Sequence, residues 1–388
     1  MTMTIAQRVS QRLQDSGLPH QSLADKIGLD KSKLSKSLNG TRTFSSGELA
    51  AISDALKVDI YWLINGEPSS LSPRYAYRHT FNGDTGAHER PSGLLAEEIE
   101  KVILAYQRAQ LTPSGQLQAF RASIGTDRYD SAHLPTGYPM IAPASAAVRK
   151  LWLEWTSAGN DPVTDIEDFL WEHFGVELVV ADVAGQHRAN AQAVIAADNP
   201  IIVVERSGTW YSTLFGIFHE LAHLIFGAVS WRGESDEHDE AKFEKFANGF
   251  VGDILLSRDE LLSGPSLAGM SVSDLAQFLW DHAIGLGTAR IRCRSNRVDE
   301  PADDITQGSI TLRWRDMYGD LRANVWSAPS YPRRLIDRHE KLVRAGDTPP
   351  DVLAWMLQVP TEDLIVRRQP APLDEHARGL LDQLGIPA

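Results

Sequence analysis

Two histidines and a glutamate stand close together in the segment GIFHELAHLIFG, residues 216–227. His219, Glu220 and His223 form the pattern H-E-x-x-H. On a helix, residues four apart lie one turn above each other, so both imidazoles can bind one metal ion. The glutamate beside the first histidine can reach a water at that ion and act as its general base. The spacing therefore predicts a zinc centre with hydrolytic chemistry.

The helix that carries these side chains is apolar on almost every side. Such a helix is expected to lie in the protein interior. Burying three hydrogen-bonding side chains costs free energy unless something satisfies them. A metal ion would satisfy them, and a pair of hydrogen-bonded core histidines is the alternative. A random chain of this composition would contain the pattern roughly 0.02 times, which favours the metal.

A catalytic zinc needs a third protein ligand and an open position for water. The elongated pattern H-E-x-x-H-x-x-G-x-x-H is excluded, because Phe226 and Val229 occupy the positions of its glycine and its last histidine. The third ligand is therefore expected from a later helix.

Residues 236–256, DEHDEAKFEKFANGFVGDILL, predict a helix with one apolar face. At about 100° per residue, Glu244 lies about 20° from Val251 and within that face. A carboxylate aimed into a core beside two buried histidines is explained as a metal ligand. Glu240 also faces inward by this geometry, and His238 is a weaker rival. Spacing alone leaves the choice open.

Three short runs of β-forming residues precede the histidine helix. They are VELVVADV, AQAVIAA and PIIVVERS, within residues 176–207. Their alternation and the turn residues between them predict a small antiparallel sheet. With the helices around it, this indicates an α+β domain over residues 141–262.

Residues 4–66 predict five short helices. The second and third, joined by a tight turn at Gly28, form a helix-turn-helix. In the third helix, Leu34 and Leu38 are expected to face the core. The side chains expected to face outward, toward a DNA major groove, are Lys31, Ser32, Lys33, Lys36 and Ser37. A small helical bundle that binds protein is the alternative.

The order QSLADKIGLDKSKLSKSLNGTR followed by ELAAISDALKVDIYWLING resembles the XRE-type repressors. The resemblance implies an all-α domain, residues 1–67, that binds a two-fold DNA operator as a homodimer. Residues 1–66 contain eight basic and six acidic side chains, a net charge of +2, whereas the whole chain carries −13. This modest charge predicts weak nonspecific DNA binding that falls steeply with salt.

The totals of the sequence limit where the protein acts. At 388 residues the chain is too long for one ordinary domain. Its single cysteine, Cys293, excludes an internal disulfide framework and all-cysteine metal sites. The start lacks the apolar core of a signal peptide, and no apolar run nears membrane-spanning length. A cytoplasmic protein without a membrane partner is expected.

The remaining segments predict connectors and helices. Residues 68–140 are expected to hold a linker and a helical connector, and residues 263–388 a mostly helical region. Within the latter, SITLRWRDMYGDLRANVW is predicted as a hairpin, and the segment that begins at RRLIDRHEKL as two helices. Its basic residues could bind nucleic acid, although a solvated face is the preferred interpretation. They are Arg290, Arg292, Arg294 and Arg297.

HELAHLIFG and the later EKFANGFVGDILL resemble the ImmA/IrrE-like metallopeptidases, whose pattern is H-E-x-x-H followed by E-x-x-A-N-x-F-A. The resemblance covers roughly residues 145–295, and an N-terminal repressor domain is a common fusion in this group. It implies a zincin-like fold of the gluzincin type with a bound Zn²⁺. The implied zinc ligands are His219, His223 and Glu244, with Glu220 as the catalytic base.

Further positions follow from this match. Asn248 stands with Ala247 at the family's A-N pair and is expected to orient a metal ligand. Val251 replaces the usual second alanine, and Ser257 stands where a proline often ends the helix, but neither touches the metal. The segment SVSDLAQFLWDHAIGLGTARIRCRS is similar to the helix-turn-helix-like unit that follows the peptidase core in this family.

The resemblance implies a zinc endopeptidase joined to a DNA-binding module. Its expected substrate is a repressor or antitoxin-type protein, cleaved to control transcription in a stress or mobile-element response. The donor that stabilises the oxyanion is left open among Tyr211, His187, Arg206 and His238. The alternative is a non-proteolytic regulator or antitoxin whose peptidase fold senses metal or binds a partner.

Overall fold

The computed structural model describes most of the chain. The described residues are 3–15, 18–56, 63–64, 74–75, 80–81, 88–89, 93–130, 133–135, 137–184, 191–207, 209–229 and 237–364. The chain divides into two compact units, Met1–Ser330 and Tyr331–Ala388. Within the described ranges, no helix is both long and apolar enough to cross a membrane.

The chain begins with four short helices. They are α1 (Ile5–Asp15), α2 (His20–Lys26), α3 (Lys31–Leu38) and α4 (Ser46–Leu56). These helices enclose a hydrophobic core of their own, to which Leu34 contributes. Asp30 caps α3, because its Oδ1 accepts a hydrogen bond from Ser32 N–H at 2.7 Å. Gly28, between α2 and α3, has a φ of +64°, which glycine adopts without strain. The predicted helix-turn-helix is present.

Arg8 connects α1 to the end of this module. Its Nε donates to Leu63 O at 2.9 Å and its Nη2 to Ile64 O at 2.7 Å. The side chain is almost fully buried, so these carbonyls replace its hydration. Leu63 and Ile64 are also the part of the fifth predicted helix that the structure describes.

The segment that follows contains short strands and then longer helices. The strands are β1 (Arg74–Tyr75), β2 (Thr80–Phe81) and β3 (His88–Glu89), and the helices are α5 (Gly93–Ala109), α6 (Gln116–Ile124), α7 (Ala142–Ser157) and α8 (Ile166–Phe174), with a 3₁₀ turn at Tyr138–Met140. The helix predicted after the linker is thus confirmed as α5. β2 and β3 form an antiparallel pair.

The main sheet contains four strands in the order β1-β5-β6-β4. The three longer strands are β4 (Glu177–Ala184), β5 (Ala191–Ala196) and β6 (Asn199–Arg206). β5 pairs antiparallel with β6, whereas β4 pairs parallel with β6. The predicted antiparallel pairing is therefore confirmed for β5 and β6 and wrong for β4, because alternation within a strand does not reveal which neighbour the strand joins. Ala197 and Asp198, both with positive φ, form the tight β5–β6 turn.

Helices cover both faces of this sheet. The histidine helix, α9 (Trp210–Ile225), contacts β5 and β6, while α5 contacts β4, β5 and β6. Alternate strand residues such as Val180 and Ile202 join the core around α9, and their neighbours Val179 and Val203 are also buried. A sheet covered on both faces explains why the strands are apolar at nearly every position.

The next helix, α10 (Glu237–Leu255), is held at its C-terminal end by two arginines. Arg149 of α7 donates to Ile254 O at 2.5 Å. Arg292 donates to Leu256 O at 3.0 Å and pairs with Asp253 at 2.8 Å. Cations at the last carbonyls of a helix are favourable. Both arginines thereby fix the helix that carries Glu244.

The helices after α10 extend the same core. They are α11 (Arg258–Ser263), α12 (Val272–Asp281), α13 (Leu286–Asn296) and α14 (Gln307–Tyr318), with a 3₁₀ turn at Leu267–Gly269. One hydrophobic cluster extends in sequence from Leu117 to Trp326. Packing therefore continues beyond both limits of the predicted segment 141–262.

The hairpin predicted for residues 309–326 is wrong, because α14 occupies most of it. Ile310 and Trp314, four residues apart, are buried on one face of this helix. Thr306 and Ser309 form a capping box at its start. The helical spacing of the two apolar side chains was the signal that outweighed the β-forming composition.

The basic residues near α13 have partners within the chain. Arg290 donates to the carbonyls of Ala302 and Ile305. Arg292 holds the end of α10, and Arg294 pairs with Glu300 at 3.1 Å. Arg290 and Arg292 therefore fix a loop and a helix end, whereas Arg294 and Arg297 are exposed, as the interpretation of a solvated face predicts.

The second unit contains α15 (Arg333–Ala345), α16 (Asp351–Leu357) and a 3₁₀ turn at Thr361–Leu364. The two helices predicted there are confirmed. Leu335 and Leu342 of α15 and Leu353 of α16 are buried.

Arg322 lies among aromatic rings at the start of α9. Its guanidinium is 3.9 Å from the Trp280 ring centroid and 5.0 Å from that of Trp210. Nη2 contacts Asp161 Oδ2 at 2.9 Å, and Nη1 donates to Trp280 O at 2.7 Å. With 4% of its surface exposed, this cation joins the Asp161 turn to the histidine helix.

Replacing Arg322 with methionine should lower the free energy of unfolding by about 3 kcal/mol, because a half-buried Asp161 loses its partner. Urea unfolding followed by circular dichroism measures this. The control is Arg315→Met, because the Arg315 side chain is 69% exposed and 3.8 Å from Asp320. Its loss should stay below about 1 kcal/mol. Equal losses for both variants would contradict the role given to Arg322.

Candidate metal centre and nucleic-acid interface

The histidine helix α9 is buried along nearly its whole length. Leu214, Ile217 and Leu221 are among its fully buried residues. His219, Glu220 and His223 are at most 2% exposed. The fold therefore encloses these three polar side chains in an apolar environment, as the sequence predicts.

Glu244 of α10 meets both histidines. His219 Nε2 lies 3.0 Å from Glu244 Oε2, and His223 Nε2 lies 3.1 Å from Glu244 Oε1. The two Nε2 atoms are 3.3 Å apart. Among the described residues, this is the group of histidine, cysteine, aspartate and glutamate side chains that could hold a metal ion. The third ligand inferred from the family resemblance is thus adjacent to the first two.

The other nitrogen of each imidazole has a hydrogen-bond partner of its own. His219 Nδ1 is 3.1 Å from Asn248 Oδ1, and His223 Nδ1 is 3.2 Å from Ala228 O. An Nδ1–H that donates to these oxygens leaves each Nε2 lone pair directed toward Glu244. This is the arrangement in which proteins present histidine to a metal. Asn248 lies where the match to the family pattern predicts it.

The three ligand atoms fit a divalent ion in spacing and in chemistry. Zinc bonds of about 2.0–2.2 Å hold neighbouring ligand atoms roughly 3.3 Å apart. Glu244 Oε1 makes no hydrogen bond within the described residues despite its closeness to His223. Two nitrogens and one carboxylate oxygen are a ligand set that zinc accepts. The residues present therefore fit the predicted Zn²⁺.

His223 and Glu244 shift each other's pKa. Burial lowers the pKa of His223, but the Glu244 carboxylate, 3.1 Å from its Nε2, outweighs burial and raises that pKa to about 9. Burial raises the pKa of Glu244, but the two histidines outweigh it and hold the pKa below its usual range. Without a metal, the carboxylate is therefore ionised against a protonated imidazole. A metal cation at this place would displace that proton.

Glu220 lies beside the three candidate ligands, but its carboxylate binds the backbone of β5. Its Oε2 accepts a hydrogen bond from Ala193 N–H of β5 at 2.8 Å. Its Oε1 is buried and has no partner among the described residues. One oxygen of the predicted general base is thus fixed by the sheet, while the other is open to a water or a proton. The backbone contact to Ala193 has no counterpart in any sequence pattern.

Helix α10 presents Glu244 through its apolar face. Phe243 and Ala247 beside it are buried, whereas Lys245 is exposed. Phe243 also packs edge-on against the His223 ring, with centroids 5.0 Å apart. The rivals Glu240 and His238 have side chains outside the described part of the structure.

The two departures from the family pattern have structural roles. Val251 is fully buried in the core. Ser257, at the position of the usual proline, caps α11 by accepting from Glu260 N–H, and Glu260 binds Ser257 N–H in return. This capping box ends α10 and begins α11 without proline.

Two of the four residues considered for oxyanion stabilisation have described side-chain partners. Arg206 pairs with Asp182 at 3.1 Å. The Tyr211 ring packs against Trp314 near the start of α9, with centroids 5.7 Å apart, and burial raises its pKa. His187 and the His238 side chain lie outside the described residues. The oxyanion donor therefore stays unassigned.

All five predicted DNA-binding residues lie on α3, and all but one of them are exposed. Four of the predicted side chains are exposed there, namely Lys31, Ser32, Lys33 and Lys36, and Ser35 of the same helix is exposed as well. Ser37 is only 1% exposed, and its Oγ accepts a hydrogen bond from Arg42 Nη1 at 2.9 Å. Its assignment as an outward residue is wrong, because it lies three positions after buried Leu34 and on the same face.

Arg42 and Glu48 join the end of the helix-turn-helix to α4. Arg42 Nη1 and Nη2 contact the two carboxylate oxygens of Glu48 at 2.9 and 2.6 Å. The hydrogen bond from Arg42 lowers the pKa of Glu48 to about 2. The same arginine donates to Ser37 Oγ, a contact that no sequence pattern predicts.

Comparison with known proteins matches the N-terminal module alone. No family model of ImmA/IrrE-like peptidases matches the chain, and no curated protein and no solved structure matches it. Residues 9–63 match the family model described as "Helix-turn-helix". The N-terminal module is therefore a helix-turn-helix domain, which suggests DNA binding in the regulation of transcription.

Proposed function

We propose that this chain is a DNA-binding transcription regulator that carries a zinc-dependent endopeptidase. The observation that carries the proposal is the convergence of His219, His223 and Glu244 beside buried Glu220. The resemblance to ImmA/IrrE-like peptidases favours a protein substrate, a repressor or antitoxin-type regulator. Cleavage of that protein would change transcription.

Three of the residues would bind the metal ion, and Glu220 would transfer the proton. His219, His223 and Glu244 would hold zinc, which supplies Lewis acidity and lowers the pKa of water to about 7. Asn248 and the Ala228 carbonyl keep the imidazoles in the orientation that binding needs. Three protein ligands are one fewer than a closed zinc site uses, so these residues would leave room for water and substrate.

Glu220 would move the proton. Ala193 N–H holds its Oε2, so Oε1 is the oxygen that can accept a proton from the attacking water. The same oxygen can then pass that proton to the leaving amine of the peptide. Burial of the carboxylate excludes bulk water, which strengthens its interaction with charge that develops nearby.

Two measurements test this proposal, one on the purified protein and one in cells. Elemental analysis should find zinc bound to the protein. Mapping of new protein N-termini in cells should then find cleavages with the wild type that are absent with Glu220→Gln. Zinc-free protein together with identical N-terminal maps would refute the peptidase.

A non-proteolytic regulator is the second candidate. It is favoured by the restriction of the family match to residues 9–63. In that case the zinc centre would sense metal or hold a partner, and Glu220→Gln would behave like the wild type in cells.

The DNA-binding surface gives a prediction of its own. Replacing Lys33 and Lys36 with alanine should weaken operator binding by about tenfold or more and should reduce the salt slope by about 1 for each phosphate that the variant no longer neutralises. Selection of bound sequences identifies the operator, and fluorescence anisotropy at several salt concentrations measures the effect. Lys150→Ala/Lys245→Ala removes the same charge from exposed positions outside the module. Equal affinity of both double variants would contradict a reading role for α3.

A further inference from the structure

The strand β5 is paired along both edges. β6 lies along one edge. At the other edge, β1 pairs antiparallel, with Arg74 opposite Ile195 and Tyr75 opposite Val194. β1 comes from the segment that the sequence predicts as a linker between the two modules. The linker therefore supplies the outermost strand of the sheet.

This edge is also the edge that Glu220 contacts. A backbone N–H of β5 points either toward β6 or away from it. Ala193 N–H binds Glu220 Oε2 and therefore points away from β6. Ala193 directly precedes Val194, which is opposite Tyr75. β1 thus ends one register position from the backbone amide held by the candidate general base.

We propose that β1 occupies the edge along which an extended protein substrate would bind, so that the chain's own linker competes with substrate for β5. The inference rests on the proposed peptidase function. Extended peptides bind exposed sheet edges through main-chain hydrogen bonds, and an occupied edge cannot accept them. The described pairing of β1 covers two positions, Arg74 and Tyr75. An extended segment that pairs with more of β5 can displace it.

The first test removes β1 from the edge. In the full-length, zinc-free protein, Arg74→Pro/Tyr75→Pro cannot donate to the ladder. Amides of β5 alternate in direction, so Ile195 N–H, two residues from Ala193, is the described β5 amide that faces β1. Its hydrogen exchange should then become at least about tenfold faster, while exchange in β4 should stay unchanged. The control, Ser69→Pro/Ser70→Pro, places two prolines in the same linker outside β1 and should exchange like the wild type. Unchanged exchange at Ile195 would overturn the proposal.

The second test asks whether the vacated edge binds an extended chain. The probe is a fluorescent peptide with the chain's own residues 70–80, SLSPRYAYRHT. It should bind the Arg74→Pro/Tyr75→Pro variant at least about tenfold tighter than the wild type or the control, because an unoccupied edge can accept a strand. Equal affinity for all three would overturn the competition.

Both tests are made without zinc, so they report on β5 and not on hydrolysis. Failure of the peptidase is read separately, from the zinc content and from the Glu220→Gln comparison. The two failures are therefore distinguishable.

Discussion

Glu220→Gln is expected to abolish peptide hydrolysis while the protein keeps its zinc. The amide cannot take a proton from water, and loss of a general base costs about 10²–10⁴ in rate. Glutamine keeps an oxygen that can accept the Ala193 N–H, so the contact between α9 and β5 should persist. Elemental analysis and the appearance of new N-termini in a cleaved protein measure the two quantities.

The matched control for this variant is Glu172→Gln, which makes the same change outside the cluster, on α8. It should cleave like the wild type. If Glu220→Gln loses zinc as well as activity, the carboxylate binds the ion and the role assigned to it is incorrect. If it retains full activity, Glu220 is not the base.

Glu244→Ala is expected to remove zinc from the protein. Loss of an orienting hydrogen bond lowers metal affinity roughly 10–100-fold. Loss of one of three protein ligands should lower the affinity for zinc by more than that. The variant should therefore emerge from purification largely free of zinc and without hydrolytic activity. Titration with a zinc chelator of known affinity measures the change.

Lys245→Ala is the control for this second variant, because Lys245 lies next to Glu244 on α10 and is exposed. Its zinc content should equal that of the wild type. Glu244→Ala also leaves two buried histidines without their carboxylate, so urea unfolding must show that the variant is folded. A folded variant with full zinc would make Glu244 a structural residue and return the choice of ligand to Glu240 or His238.

The helical spacing of His219 and His223 made their meeting on one face predictable. Residues four apart on a helix share a face whatever the rest of the fold does, so His219 and His223 required no tertiary information. Spacing alone could not select Glu244 as the third ligand, because Glu240 faces inward on the same helix. The family resemblance separated the two, and the structure brings Glu244 to both imidazoles.

What the sequence could not predict depends on partners distant in the chain. The parallel pairing of β4 with β6 is set by packing across the sheet, which no local pattern contains. The partners of Glu220 and of His223 Nδ1 are backbone groups, which every residue carries, so no residue type marks them. Ser37 was misplaced because its polarity received more weight than its position three residues after Leu34.

The two helices that hold the cluster are packed by apolar side chains and by arginines at a helix end, independently of any ion. Small zinc modules lose their fold when they are chelated, because metal binding supplies their folding free energy. Here a chelator should remove the proposed ion and leave the protein folded, so that the protein can bind metal again at once. Under the proposed function, gain and loss of zinc would then be reversible without refolding of the protein.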